Sequence, residues 1–184
     1  ELAAIAARGD AALADRLLLA CGMDPVNGHV IADSLLAAGN TAQIAAGLVA
    51  AGSPCDLGEL TQRLDRLFTD AASKSVPVTD LQGLFSRLKQ RGYRLGIASS
   101  DNEASIRETA RRFGIEQSVD FIAGYDSGHG TKPQPGMVYG FCEAIGLSPD
   151  RIAVVGDNNH DLHMARNAKA GLGIAVLTGT GTRQ

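Results

Sequence analysis

The stretch Arg151-Ile-Ala-Val-Val-Gly-Asp-Asn-Asn-His-Asp161 decides how this chain is read. Ile152–Val155 is a short apolar run of the kind that forms a buried strand, and a helix is expected from about Leu162. Between them, Asp157 and Asp161 place two carboxylates four residues apart. Ligands of open α/β sheets bind in the crevice beyond the carboxyl ends of the strands. Hard oxygen donors at that edge suit Mg2+, which keeps several waters and needs only one or two carboxylates. The plain alternative is an aspartate that caps the next helix. Alone, the run leaves both open.

Working outward, strands and helices alternate on both sides of this run. Asp80 opens a helix through Gln90, and Tyr93–Ala98 reads as a strand. Asn102–Phe113 is a helix ended by Gly114, and Asp120–Gly124 a second strand. Pro135–Ile145 is a helix closed by Gly146. Leu162–Ala170 and Gly173–Leu177 give a last helix and strand. Such alternation means right-handed βαβ units and a parallel sheet. Upstream of Pro77 the pattern is purely helical. Leu2, Ile5, Leu13, Leu17 and Leu18 recur at helical spacing, with Gly9-Asp10 as a break, and Met23–Gly28 is a turn. A short helix carries Leu35 and Leu36, Thr41 is expected to cap a third, and Asp56 a fourth with Leu60, Leu64, Leu67 and Phe68 on one face. The reading is an α/β fold, a Rossmann-like parallel sheet over 77–184 with an all-helical module over 1–76.

Composition narrows the function. With no Trp, three Tyr and five Phe, aromatic platforms for base stacking are scarce. A formal charge of −3 lacks the basic footprint of a nucleic-acid binder. An anionic substrate would have to be attracted locally. No run approaches the roughly 18 apolar residues of a membrane span. Cys21, Cys55 and Cys142 are far apart and show no zinc spacing. They read as reduced thiols in a cytoplasmic protein. The oligomeric state is open, a homodimer included.

Two further features fall beyond strand ends. Ser99 and Ser100 follow the strand ending at Ala98 and precede a helix, where hydroxyls and backbone N–H groups suit phosphate oxygens; an N-cap is the plain alternative. Lys132, before Pro133 in the loop after Phe121–Gly124, is a counter-charge for a phosphoryl group or a solvated lysine.

Together, in this order over residues 78 to 178, these features resemble the haloacid dehalogenase-like phosphatases, and within them the phosphoglycolate phosphatase-like group. Leu95-Gly-Ile-Ala-Ser99 is similar to that family's second motif, Lys132-Pro133 to its third, and Gly156-Asp157 with Asp161 to its GDxxxD motif. Residues 1–75 resemble its helical cap. The resemblance implies a Mg2+-dependent phosphatase of a small phosphorylated metabolite, working through an aspartyl-phosphate. It implies that Ser99 binds a phosphoryl oxygen with help near Ser100, that Lys132 neutralises charge, that Asp157 holds Mg2+ and that Asp161 supports it from behind.

One motif is missing. The family's nucleophile run, DxDx[TV], is not found in these residues; Asp24, Asp65, Asp80 and Asp120 all lack the second aspartate and the preceding apolar strand. That run ends the central strand of the family's sheet, so a gap of about 10 Å, two strand spacings, is expected between the strands ending at Ala98 and Gly156. The chain is therefore expected to be an internal segment of a longer protein, inactive alone. A non-catalytic phosphate- or partner-binding module and a phosphosugar mutase are the rival readings. A nucleotide-binding domain would need a GxGxxG or Walker loop, and neither is present. Among the remaining residues, His160 is read as lying at the site's edge, His163 as helix surface and His129 as a solvated loop residue. Gly179-Thr-Gly-Thr182 is read as a connector.

Overall fold

The computed structural model describes residues 1–178, so the Gly179-Thr-Gly-Thr182 connector lies outside the described residues. The amino-terminal part consists of α1 (Leu2–Ala6), α2 (Ala11–Cys21), α3 (Leu35–Ala38), α4 (Thr41–Ala50) and α5 (Leu57–Ala72). The break at Gly9-Asp10 is built by Asp10, whose carboxylate accepts from the Leu13 N–H at 3.0 Å and caps α2. Asp24 organises the following turn by accepting from the Val26 N–H at 2.8 Å. The cap of α4 differs from expectation. Asn40, not Thr41, accepts from the Gln43 N–H at 2.9 Å, while the Gln43 side chain accepts from the Asn40 N–H at 3.0 Å. This reciprocal box satisfies two orphan donors at once, and Thr41 becomes the first helical residue. Leu17, Leu48, Leu60 and Leu64, from three helices, are completely buried together.

The second part alternates α6 (Leu81–Gln90), β1 (Gly96–Ala98), α7 (Glu103–Arg112), β2 (Phe121–Ala123), α8 (Gly136–Ile145), β3 (Ala153–Gly156), α9 (Asn159–Asn167) and β4 (Leu172–Ala175). All the pairing is parallel, with Gly96 opposite Phe121 and Ala153 opposite Leu172. The first strand is shorter than the expected 93–98. Ahead of it the chain is held by Asp120, which accepts from the Leu95 N–H at 2.8 Å and from Lys89 at 2.8 Å, with Arg94 at 3.1 Å. Burial disfavours the Asp120 carboxylate, but these partners outweigh it and hold the group below the usual carboxylate range. The last helix starts earlier than expected because Asn158 caps it, accepting from the His160 N–H at 2.9 Å.

The strands form two separate pairs, β1–β2 and β3–β4. Among the described residues no strand joins them. The facing edges of β1 and β3 instead border a slot of about 230 Å³, floored by Met137, Phe141 and Met164. α9 covers one face of the β3–β4 pair, where a Cβ on Gly173 would lie 3.5 Å from that of Ala165. On the other face Val155 and Ile174, which are register partners, are exposed. The buried cluster of this part, which includes Ala123, Met137, Ile152 and Met164, shares no residue with the buried cluster of the helical part. No helix among the described residues is long and apolar enough to cross a membrane.

Candidate functional site

The loops that follow β1 and β3 border one cavity. Ser99 extends β1 by one bond, its N–H donating to the Ala123 carbonyl at 3.0 Å. Its hydroxyl donates to Asp101 at 2.8 Å. The capping of α7 falls to Asn102, which accepts from the Ser105 N–H at 2.8 Å. Ser99 and Ser100 are thereby left to line a cavity rather than to end a helix. Gly124 allows this approach of loops, because a Cβ there would sit 2.5 Å from the Asp101 carbonyl oxygen.

The GDNNHD run folds back on itself. Asp161 is buried and accepts from the Asn158 N–H at 3.2 Å through one oxygen. Its other oxygen accepts from the Lys132 ammonium at 2.7 Å. Both side chains are about nine-tenths buried, at 12% and 10% exposure. Removing one partner of such a pair leaves an uncompensated charge, at a cost of about 3–5 kcal/mol. Gly156 is required for the closeness, since a Cβ there would stand 2.4 Å from the Asp161 side chain. Asp161 thus fixes where Lys132 points.

Ser99, Ser100, Asp101, Lys132, Asp157, His160 and Asp161 all border one cavity of about 250 Å³, with Leu36–Gly39 on its far side. The five residues singled out in the sequence are brought together there. Asp157 makes no hydrogen bond to a described residue, which leaves its oxygens available. Among the described residues, no three His, Cys, Asp or Glu side chains converge as a closed metal site. One available carboxylate beside a cavity still fits Mg2+, which takes few protein ligands and completes its shell with water and substrate oxygens. It does not fit zinc, whose structural and catalytic sites use three or four protein ligands.

Sequence reasoning missed several participants. Asp101 directly follows Ser99 and Ser100; local side-chain bonding of this kind is common for Asp and Ser and was a usable signal. Asn159 donates to Asp33 at 2.8 Å, a tie across 126 positions that no local pattern announces. The cavity wall at Leu36–Gly39 was equally invisible. His129 is neither solvated nor at the cavity: it is half-buried against Phe121, with ring centroids 5.3 Å apart, because Gly140 leaves room for its ring. His163 is exposed on α9, as expected of a surface residue.

Helical and α/β parts are tied near the site. Asp65 of α5 accepts from the Tyr125 hydroxyl at 3.0 Å and from the Asn102 amide at 3.3 Å. Burial, and then the bond to Asp65, push the Tyr125 phenol up to about 12, so it remains a donor across the neutral range.

A family model for haloacid dehalogenase-like hydrolases matches residues 41–175, the stretch that carries Ser99, Lys132, Asp157 and Asp161. The chain belongs to that family. It is 29% identical over 104 residues to phosphoglycolate phosphatase of Pasteurella multocida, covering 56% of this chain and 46% of that protein. It is 30% identical over 98 residues to pyrophosphatase PpaX of Halalkalibacterium halodurans, covering 50% and 44%. The chain therefore spans about half the length of the curated relatives it matches. A crystal structure from Haemophilus somnus, described as a predicted phosphoglycolate phosphatase, aligns with a TM-score of 0.66 at 17% identity, over 92% of this chain and 78% of that one. That likeness speaks for the fold: an α/β, Rossmann-like core with a helical cap.

Proposed function

We propose that the natural protein carrying this chain is a Mg2+-dependent phosphatase that hydrolyses a small phosphorylated metabolite through an aspartyl-phosphate, with residues 1–76 as its cap. The observation that carries this reading is the Lys132–Asp161 pair at 2.7 Å, set beside Ser99, Ser100 and Asp157 on one cavity. Phosphoryl transfer asks mainly for positioning and for stabilisation of charge on the phosphoryl oxygens. Lys132, aimed by Asp161, supplies a cation at a fixed place. Ser99 turns its hydroxyl from Asp101 to a phosphoryl oxygen, and the backbone N–H groups near Ser100 assist. Asp157 would hold Mg2+, which offsets negative charge on the phosphate when bound.

The nucleophile is an aspartate that none of the described strand ends provides. The slot between β1 and β3 is the place for a strand that carries it. Its carboxylate oxygen attacks phosphorus, and the bond to the leaving oxygen breaks as that oxygen takes a proton. Water then attacks the aspartyl-phosphate, releasing inorganic phosphate and restoring the carboxylate. The buried thiols Cys21, Cys55 and Cys142, none in a disulfide, support a cytoplasmic setting.

The test is phosphate release from p-nitrophenyl phosphate by the intact natural protein, with Mg2+ varied. Release is expected to need Mg2+, and Asp157→Asn to raise the Mg2+ needed for half-activation by about tenfold or more. Undiminished release in excess chelator would sink the reading. The 184 residues by themselves are expected to give no turnover. A phosphosugar mutase would retain the phosphoryl group on a second sugar hydroxyl, so free phosphate as the main product separates the two.

A further inference from the structure

The cavity's far wall is Leu36, Ala37, Ala38 and Gly39, small and apolar residues of α3 and its end. It is held in place from both sides. Asp33, just ahead of α3 and in the left-handed region at φ 60°, accepts from Asn159 of the GDNNHD run at 2.8 Å. Gly39 cannot grow, because a Cβ there would lie 2.5 Å from the Leu35 carbonyl oxygen. On the near side Asp101, Asp157 and Asp161 face the same space as a single ammonium, and that ammonium is already bonded to Asp161. One phosphoryl group with Mg2+ is close to neutral and can be accommodated. A second anionic group on the substrate would meet carboxylates and an apolar wall, with no further cation among the described residues that line the cavity; burying such a charge unpaired is strongly unfavourable.

His160 supplies the remaining polar contact. Its Nδ1 is buried with no partner, and its Nε2 bonds to no described residue, while the ring borders the cavity. A buried N–H without an acceptor is costly. With Nδ1 enclosed, Nε2 is the ring nitrogen left to meet a hydroxyl or ester oxygen of a ligand.

We infer that the substrate is the phosphate ester of a small uncharged alcohol, with its leaving group held between His160 and the α3 wall, and that esters bearing a carboxylate or a second phosphate are disfavoured. This rests on the phosphatase reading above. It departs from the substrates in the names of the two curated relatives, since phosphoglycolate carries a carboxylate and pyrophosphate a second phosphoryl group.

The experiment compares kcat/KM of the intact natural protein on glycerol 2-phosphate, 2-phosphoglycolate and pyrophosphate, with p-nitrophenyl phosphate as the reference ester. Glycerol 2-phosphate is expected to exceed the two charged-leaving-group compounds by at least about tenfold. Ala38→Lys should raise kcat/KM on 2-phosphoglycolate relative to glycerol 2-phosphate, whereas Ala38→Gln, of similar bulk without the charge, should not. His160→Ala should raise KM for glycerol 2-phosphate more than for the reference ester. Equal or better use of 2-phosphoglycolate or pyrophosphate by the unmodified protein overturns the inference and leaves the phosphatase reading intact. Failure to release phosphate from any of the four overturns both.

Discussion

The helical part and the α/β part solve the burial problem differently. In the helical part, leucines from α2, α4 and α5 meet in a cluster that leaves nothing of Leu17, Leu48, Leu60 or Leu64 exposed. In the α/β part the helices and β2 bury residues while β3 and β4 stay open, unlike the usual parallel sheet, whose strands are covered on both faces. Val155 is 59% exposed and Leu172 54%. The difference lies in what each element needs. A helix satisfies its own backbone and has only one stripe to cover. A strand needs a neighbour on each edge and a layer on each face. The slot leaves one edge of β1 and one of β3 without a strand neighbour among the described residues, and the loops after both strands border the candidate site, so the more open part of the molecule is also the one that holds the candidate residues.

That contrast can be broken or sharpened by substitution. The largest effect is expected from Lys132→Ala in the intact natural protein, with kcat for p-nitrophenyl phosphate down by about 10²–10³ or more. Activity within tenfold of the unmodified protein would mean that the buried pair is only structural. Next comes Leu64→Ala, which should lower the stability of the chain in urea by about 2–5 kcal/mol through the cavity it opens. Val155→Thr, an exposed position on the bare sheet face, should change stability by less than about 0.5 kcal/mol. If the two changes cost the same, the helical and α/β parts do not differ as described.

Asp120→Asn should cost about 1–3 kcal/mol, since Lys89, Arg94 and the Leu95 N–H all lose a charged acceptor. The sign with pH follows from the lowered folded-state value. The contribution is present above the ordinary carboxylate range of about 4 and is lost as pH falls through the depressed value. Unfolding curves of the two proteins should therefore converge in acid, and a constant gap down to pH 2 would exclude this origin. A smaller cost than that of Asp120→Asn, about 1 kcal/mol, is expected for Tyr125→Phe, from loss of the donor to Asp65. The phenol's folded value is raised, so its contribution is full below about pH 10 and lost as pH rises through about 12. Alkaline titration of stability, with and without the hydroxyl, checks it.

Much of this was legible from local pattern. Helices such as α5 announce themselves because one face repeats at helical spacing and Asp56 stands at the start, accepting from the Gly58 and Glu59 N–H groups. Errors fell at ends. Asn40 and Asn158 took capping duties because an amide reaches the N2 or N3 N–H as well as an aspartate does. The strand expected from Tyr93 contracted because Asp120 claimed the Leu95 N–H that a ladder would have used. The five site residues were legible as motif members, yet their chemistry was not: neither the burial of Lys132 nor its bond to Asp161 follows from a spacing of 29 positions.

By itself, then, the sequence determined the element order, the parallel sense of the strand pairs, the motif positions Ser99, Lys132, Asp157 and Asp161, and the want of a DxDx[TV] run in these residues. These depend on periodicity and short spacings, which act within a few residues. Only the tertiary structure decided that the strands form two pairs with a slot between them, that Asp161 aims Lys132, that Asp33 ties α3 to Asn159, and that an apolar wall faces His160. Those facts depend on which distant groups are brought within 3 Å of one another, and packing, not local preference, sets such distances.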